Sequence, residues 1–131
     1  MDHWATQVLV VDDDTQFRRF VVRALRASGF SVIEASGFHS AISLIEEGVR
    51  ADLMIADVQL GIGSPHGVSL GNMAQLRRSN LKIIYMSGSV DLRLAAQFGD
   101  AAAILQKPFV AAALIQTVTQ VLGSDKRYSS P

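Results

Sequence analysis

Short apolar runs alternating with stretches of helical spacing constrain this chain more than any other feature. Val8–Val11 (VLVV), Leu53–Ala56 (LMIA), Lys82–Met86 (KIIYM) and Ala102–Leu105 are too short for helices and rich in apolar and β-branched residues. They read as strands, Val8–Val11 buried on both faces and Leu53–Ala56 a second fully apolar run. Ser31–Ala35 (SVIEA) reads as a less buried strand. Between and after the runs, apolar residues recur at helical spacing: Phe17, Phe20, Val21, Ala24 and Leu25 in Thr15–Ala27, and Ala41, Ile42 and Ile45 in Phe38–Glu47. Val68–Arg78 repeats the pattern with Leu70, Met73, Ala74 and Leu76, Val90–Phe98 is a short helix, and Phe109–Leu122 is the last. Gly29, Gly48, Gly99 and Gly123 stand where helices should stop. Strand then helix, five times over with short connections, predicts an α/β fold with one parallel sheet covered on both faces.

At 131 residues the chain has room for one domain, expected over 1–123, with the polar stretch 124–131 (SDKRYSSP) as a disordered tail or linker stub. Hydrophobic residues at 49% and charged residues at 18% describe a globular chain, not a disordered one. Twelve basic residues balance twelve acidic ones, which argues against electrostatic binding to nucleic acid or an anionic membrane. The absence of cysteine excludes disulfides, thiolate metal sites and cysteine nucleophiles. No apolar run approaches a membrane span, and residues 1–7 lack the pattern of a secretory signal, so a cytoplasmic domain is expected. The balance conceals a local excess: Asp12, Asp13 and Asp14 are three of the 12 acids.

In an open parallel sheet, ligands bind beyond the carboxyl ends of the strands. The residues just past those ends are Asp12 and Asp13, Asp57, Ser87 and Lys107. Carboxylates gathered at one edge repel one another, and a hard divalent cation such as Mg²⁺ relieves the repulsion. A lysine and a hydroxyl at the same edge can receive a phosphate. The set reads as a Mg²⁺-dependent phosphoryl site with Asp57 as nucleophile. Asp14, with Phe17 three residues on, suits the plainer task of capping the first helix.

LVVDDD at 9–14, IADVQL at 55–60, MSG at 86–88 and QKPF at 106–109, with their spacing, resemble the receiver domains of bacterial two-component response regulators, chemotaxis regulators among them. The resemblance runs from about Gln7 to about Leu122. It implies a doubly wound, flavodoxin-like (βα)5 fold with strand order 2-1-3-4-5. It implies that Asp57 is the phosphoacceptor, fed by the phosphohistidine of a sensor histidine kinase or histidine phosphotransfer domain. Asp12, Asp13, Asp57 and the backbone carbonyl of Gln59 would hold Mg²⁺, with Asp13 the more direct of the acid pair. Ser87 and Lys107 would hold the phosphoryl oxygens, and the Lys107–Pro108 peptide would be cis. Such a domain catalyses only its own phosphorylation and dephosphorylation.

Several residues depart from the family pattern. Ile104 stands where an aromatic switch residue is usual, which makes Ser87 and Ile104 the positions to watch for output. Leu60-Gly61 and His66-Gly67 replace the usual Met-Pro and Asp-Gly, in a loop about two residues longer. His66 is then a metal ligand or a solvated loop residue. The last helix is apolar nearly all round, so the face formed by the 90–98 helix, the fifth strand and the last helix is expected to expose an apolar strip for homodimerisation or partner docking. Leu94, Ala95 and Ile104 would contribute to it. Arg19, Arg23 and Arg26 form a basic stripe on the first helix, fit for a kinase or merely solvated. With no output domain following in the sequence, output is expected to be a surface. Two other functions fit parts of the pattern. One is a Mg²⁺-dependent phosphatase with an aspartyl nucleophile, against which Gln16 stands where a Thr or Val is needed. The other is a pseudo-receiver that only binds, against which Asp57 and Lys107 speak.

Overall fold

The computed structural model describes residues 6–61, 66–88 and 101–123. The elements run β1 (Gln7–Val11), α1 (Thr15–Ala27), β2 (Ser31–Ala35), α2 (Phe38–Glu46), β3 (Leu53–Asp57), α3 (Gly67–Arg77), β4 (Lys82–Ser87), β5 (Ala103–Gln106) and α4 (Ala111–Gly123). The helix expected over 90–98, with Leu94 and Ala95, and the tail at 124–131 lie outside the described residues. The five strands form one parallel sheet in the order β2-β1-β3-β4-β5. That is the expected doubly wound architecture. Among the described residues no helix is long and apolar enough to cross a membrane.

Side chains alternate across a strand, and here the alternation sorts the core into two layers. Val8 and Val10 of β1, Leu53 and Ile55 of β3, and Ile84 and Met86 of β4 pack against α1 and α4, meeting Val21, Leu25, Leu114 and Val118. Leu9, Val11, Met54, Ala56, Ile83 and Tyr85 face the other way, onto Phe38 and Ala41 of α2 and Leu70 and Ala74 of α3. Burial on both faces explains why β1, β3 and β4 read as unbroken apolar runs. The edge strand β2 is less buried, with Ser31 and Glu34 exposed.

Two helices differ from their reading in sequence. In α3 the buried face is Gly67, Leu70, Gly71 and Ala74, whereas Met73 and Leu76 are exposed. The two glycines, one turn apart, set that face. A Cβ on Gly67 would strike the backbone carbonyl of Asp57, and one on Gly71 would strike the hydroxyl of the buried Tyr85. The helix therefore lies close against the ends of β3 and β4. In α4, Leu114, Val118, Val121 and Leu122 are buried while Gln116, Thr119 and Gln120 are exposed. The apolar surplus is thus mostly core. On this side Val110, at 68% exposure, is the one large apolar side chain exposed among the described residues.

Candidate functional site

Asp12, Asp57 and Lys107 fall on the same parity as the strand residues that face α1 and α4. Asp12 follows Val8 and Val10, Asp57 follows Leu53 and Ile55, and Lys107 follows Ala103 and Leu105. Their side chains meet beyond the carboxyl end of the sheet. The Lys107 ammonium donates to Asp57 Oδ2 at 2.6 Å and to Asp12 Oδ2 at 3.0 Å. One cation thus answers two buried carboxylates from two neighbouring strands.

Each group is held by its backbone surroundings. The Asp12 amide donates to the Ala35 carbonyl of β2 at 3.3 Å, and its Oδ1 accepts from the Asp14 amide at 2.9 Å. Asp14 is the expected N-cap of α1, accepting from the Phe17 amide at 3.1 Å. Asp57 Oδ1 accepts from the Gln59 amide at 2.7 Å. The next residue, Val58, donates to the Met86 carbonyl and accepts from the Gly67 amide, which ties β3 to β4 and α3. Ser87, the last residue of β4, is buried, and its carbonyl accepts from the Lys107 amide at 2.8 Å. The Lys107–Pro108 peptide is cis.

Burial pushes the Asp12 carboxyl above the ordinary aspartate value, and the nearby Asp57 charge adds to the rise. The Asp14 amide and the Lys107 ammonium oppose it without cancelling it. For Lys107, burial works to lower the pKa, but the bonds to Asp57 and Asp12 and their charges outweigh it, so the net direction is upward. The ammonium is therefore charged at neutral pH. It bonds to both carboxyl groups at once.

Asp13 is exposed beside this pair. Among the described residues no three His, Cys, Asp or Glu side chains gather as a metal-holding group. The structure unites two carboxylates, and the lysine draws them onto itself. The donor chemistry still fits Mg²⁺, which takes one or two carboxylates and keeps several waters. Each of the four oxygens of Asp12 and Asp57 accepts one described hydrogen bond, and a carboxylate oxygen has two lone-pair sites. Asp12 and Asp57 would bind the ion, Asp13 stands next in sequence to join them, and Gln59 offers a carbonyl within the same turn.

Other candidates from the sequence find their places. His66 is the N-cap of α3, its Nδ1 accepting from the Val68 amide at 3.2 Å. Ile104 is half-buried, pairs in register with Tyr85 and packs in the α2–α3 layer. Arg19, Arg23 and Arg26 are exposed on α1, and Arg26 donates to the Val32 carbonyl at 3.3 Å.

Two residues that carry no functional signal in the sequence reach the site. Arg18 donates to the Asp12 carbonyl at 2.6 Å and to Glu34 Oε1 at 3.0 Å. Phe17 sets its ring under the Lys107 ammonium, 4.3 Å from nitrogen to centroid. A helical side chain leans toward the N-terminus of its helix, so residues in the first turn of α1 can reach back over the edge where Asp12 lies. That geometric rule is the one pointer to them that the sequence holds.

Fold and site together define a signalling module built around a buried carboxylate. The sequence model for the response regulator receiver domain matches residues 8–119, and this chain belongs to that family. Over 118 residues it is 33% identical to the transcriptional regulatory protein PrrA of Mycobacterium tuberculosis, a match covering 88% of this chain and 49% of PrrA. Over 121 residues it is 33% identical to the transcriptional regulatory protein FixJ of Azorhizobium caulinodans, covering 88% of this chain and 54% of FixJ. The chain thus spans about half the length of these two curated relatives. A response regulator receiver protein from Sinorhizobium medicae superposes with a TM-score of 0.82 at 29% identity, covering 91% of this chain and 95% of that one. The chain is a receiver domain of the two-component kind, a class of domain that works with sensor histidine kinases.

Proposed function

We propose that Asp57 accepts a phosphoryl group from the phosphohistidine of a kinase or phosphotransfer partner, in a Mg²⁺-dependent step, and that the phosphorylated domain changes its contacts. The observation that carries this reading is the Lys107 ammonium shared between Asp57 and Asp12. A carboxylate oxygen of Asp57 attacks phosphorus. The P–N bond to the imidazole breaks and its electron pair stays on the released nitrogen, so the imidazole leaves neutral, with a proton already on its other nitrogen or one taken from water. Mg²⁺, held by Asp12, Asp13, Asp57 and the Gln59 carbonyl, would supply charge neutralisation on the transferring oxygens. Lys107 moves its bond from Asp57 to a phosphoryl oxygen, and the Ser87 hydroxyl, at the adjoining strand end, donates to another. Asp12 stays paired with Lys107 and keeps the ammonium in place. Water at the same edge then attacks phosphorus, the P–O bond to Asp57 breaks, and the carboxylate is returned as inorganic phosphate leaves.

The test is mass spectrometry after incubation with acetyl phosphate and Mg²⁺. One phosphoryl addition is expected in the wild type, and none in Asp57→Asn or with EDTA. A wild type that takes up nothing contradicts the reading, and sustained hydrolysis of small phosphoesters favours a phosphatase instead. Association of two copies through the β5–α4 face, where Val110 is exposed, belongs to the same reading. A rise in sedimentation mass on phosphorylation supports that part, and a constant monomer mass removes it.

A further inference from the structure

Behind Lys107 lies an aromatic cluster that the phosphoryl chemistry does not itself require. Phe17 is the third residue of α1 and would be an ordinary apolar-face residue by its spacing. Its ring does more than pack. The Lys107 nitrogen lies 4.3 Å from the centroid of Phe17, well inside the range of a cation–aromatic attraction. An ammonium has three N–H groups. Asp57 and Asp12 take bonds on one side, and the ring covers another. The ring itself is fixed from behind. Phe109, two residues after Lys107, meets Phe17 edge to face with centroids 5.2 Å apart and planes at 85°. Phe20, one turn along α1, lies 5.5 Å from Phe17 and 6.0 Å from Phe109. All three rings are half-buried against the α1–α4 layer. The triad clamps the start of α1 to the segment that carries Lys107.

We infer that Phe17 is a positioning residue for Lys107. Its ring face holds the ammonium between Asp12 and Asp57 and keeps water from it, so the charge meets an incoming phosphoryl oxygen already placed and poorly screened. The effect has two parts that can be separated. The ring's bulk shapes the pocket, and the negative potential of its face attracts the cation. Fluorine on the ring keeps the shape nearly unchanged and drains the potential, so it isolates the second part.

This inference rests on the reading of Lys107 as the phosphoryl-binding lysine, and the experiment keeps the two apart. Mono-, di- and trifluorophenylalanine are incorporated at position 17 of the full chain. Three quantities are measured: the phosphorylation rate with acetyl phosphate at saturating Mg²⁺, the affinity for beryllofluoride, and the affinity for Mg²⁺ alone. Phosphorylation rate and beryllofluoride affinity are expected to fall stepwise with fluorine number, by about three- to tenfold at trifluoro substitution. Mg²⁺ affinity and thermal midpoint are expected to stay constant across the series. Phe17→Trp, with a stronger aromatic face, is expected to retain the wild-type rate more closely than Phe17→Leu. A flat fluorine series in a domain whose wild type is phosphorylated overturns the role given to Phe17. A wild type that is not phosphorylated overturns the function of the site instead.

Discussion

An aspartate stands at each end of β3, Asp52 just before it and Asp57 as its last residue, and the two make different contacts. At the amino end, Asp52 accepts from the Gln7 amide at 3.0 Å and pairs with Arg78 at 3.5 Å. One carboxylate meets one guanidinium and one amide, while the buried Arg78 Nε has no described partner. At the carboxyl end, Asp57 shares a single ammonium with Asp12, two acidic groups on one cation. The amino-end pair is partly open to solvent, whereas the Asp12 side chain is fully buried. A one-to-one pair ties α3 to the start of β3, whereas a cation shared by two carboxyl groups is the arrangement on which the proposed phosphoryl site rests. The difference lies in stoichiometry and burial rather than in residue type, since both ends use aspartate.

The sharpest break of this comparison comes from removing each aspartate in turn. Asp57→Asn is expected to lose all phosphoryl uptake, while Asp52→Ala takes up phosphate at the wild-type rate, both read by mass spectrometry. Equal losses in the two variants would end the distinction. Next in size is Lys107→Met. It leaves Asp12 and Asp57 facing each other without a counter-charge, and unfolding in urea without Mg²⁺ should show a loss of about 2–4 kcal/mol. Added Mg²⁺ should recover part of that loss, more than it adds to the wild type, because the ion then answers the charge that the lysine did.

Tyr85, inside the wall between the two ends, supplies a pH reading. Burial pushes its phenol up to about 12. An unfolded tyrosine releases its proton near 10. Between these values the unfolded state binds fewer protons than the folded one, so stability falls as pH rises through that window, by about 2 kcal/mol. Urea unfolding between pH 9 and pH 11.5 should show this fall in the wild type and a shallower one in Tyr85→Phe. The smallest effect is expected at the amino end, where Asp52→Ala should cost about 1–2 kcal/mol for the lost bond to the Gln7 amide.

Much of this architecture is legible in the sequence. Short apolar runs alternating with helical spacing lead to a parallel sheet and to the edge where the polar residues sit. Strand parity then places Asp12, Asp57 and Lys107 on one side, because residues two apart along a strand point to the same face. Asp14 is also legible as a cap, since a capping side chain acts within three residues. What escapes depends on distance in sequence or on missing atoms. Helical spacing picks out Met73 and Leu76 in α3, yet both are exposed. Glycines carry no hydrophobic signal, and Gly67 and Gly71 bury the opposite face by letting the helix approach its neighbours closely. His66 gives no hint of capping, since a histidine nitrogen seldom takes that part. Phe17 and Arg18 look like a helix face and a surface charge until α1 is laid against the strand ends.

Asp57, and not its neighbours in the acidic cluster, carries the phosphoryl group in this mechanism. Borohydride reduction converts an aspartyl phosphate to homoserine, which peptide sequencing by mass spectrometry locates. After treatment with acetyl phosphate and Mg²⁺, homoserine is expected at position 57 alone. Homoserine at position 12 or 13, or a phosphorylated protein that yields none, would contradict the account.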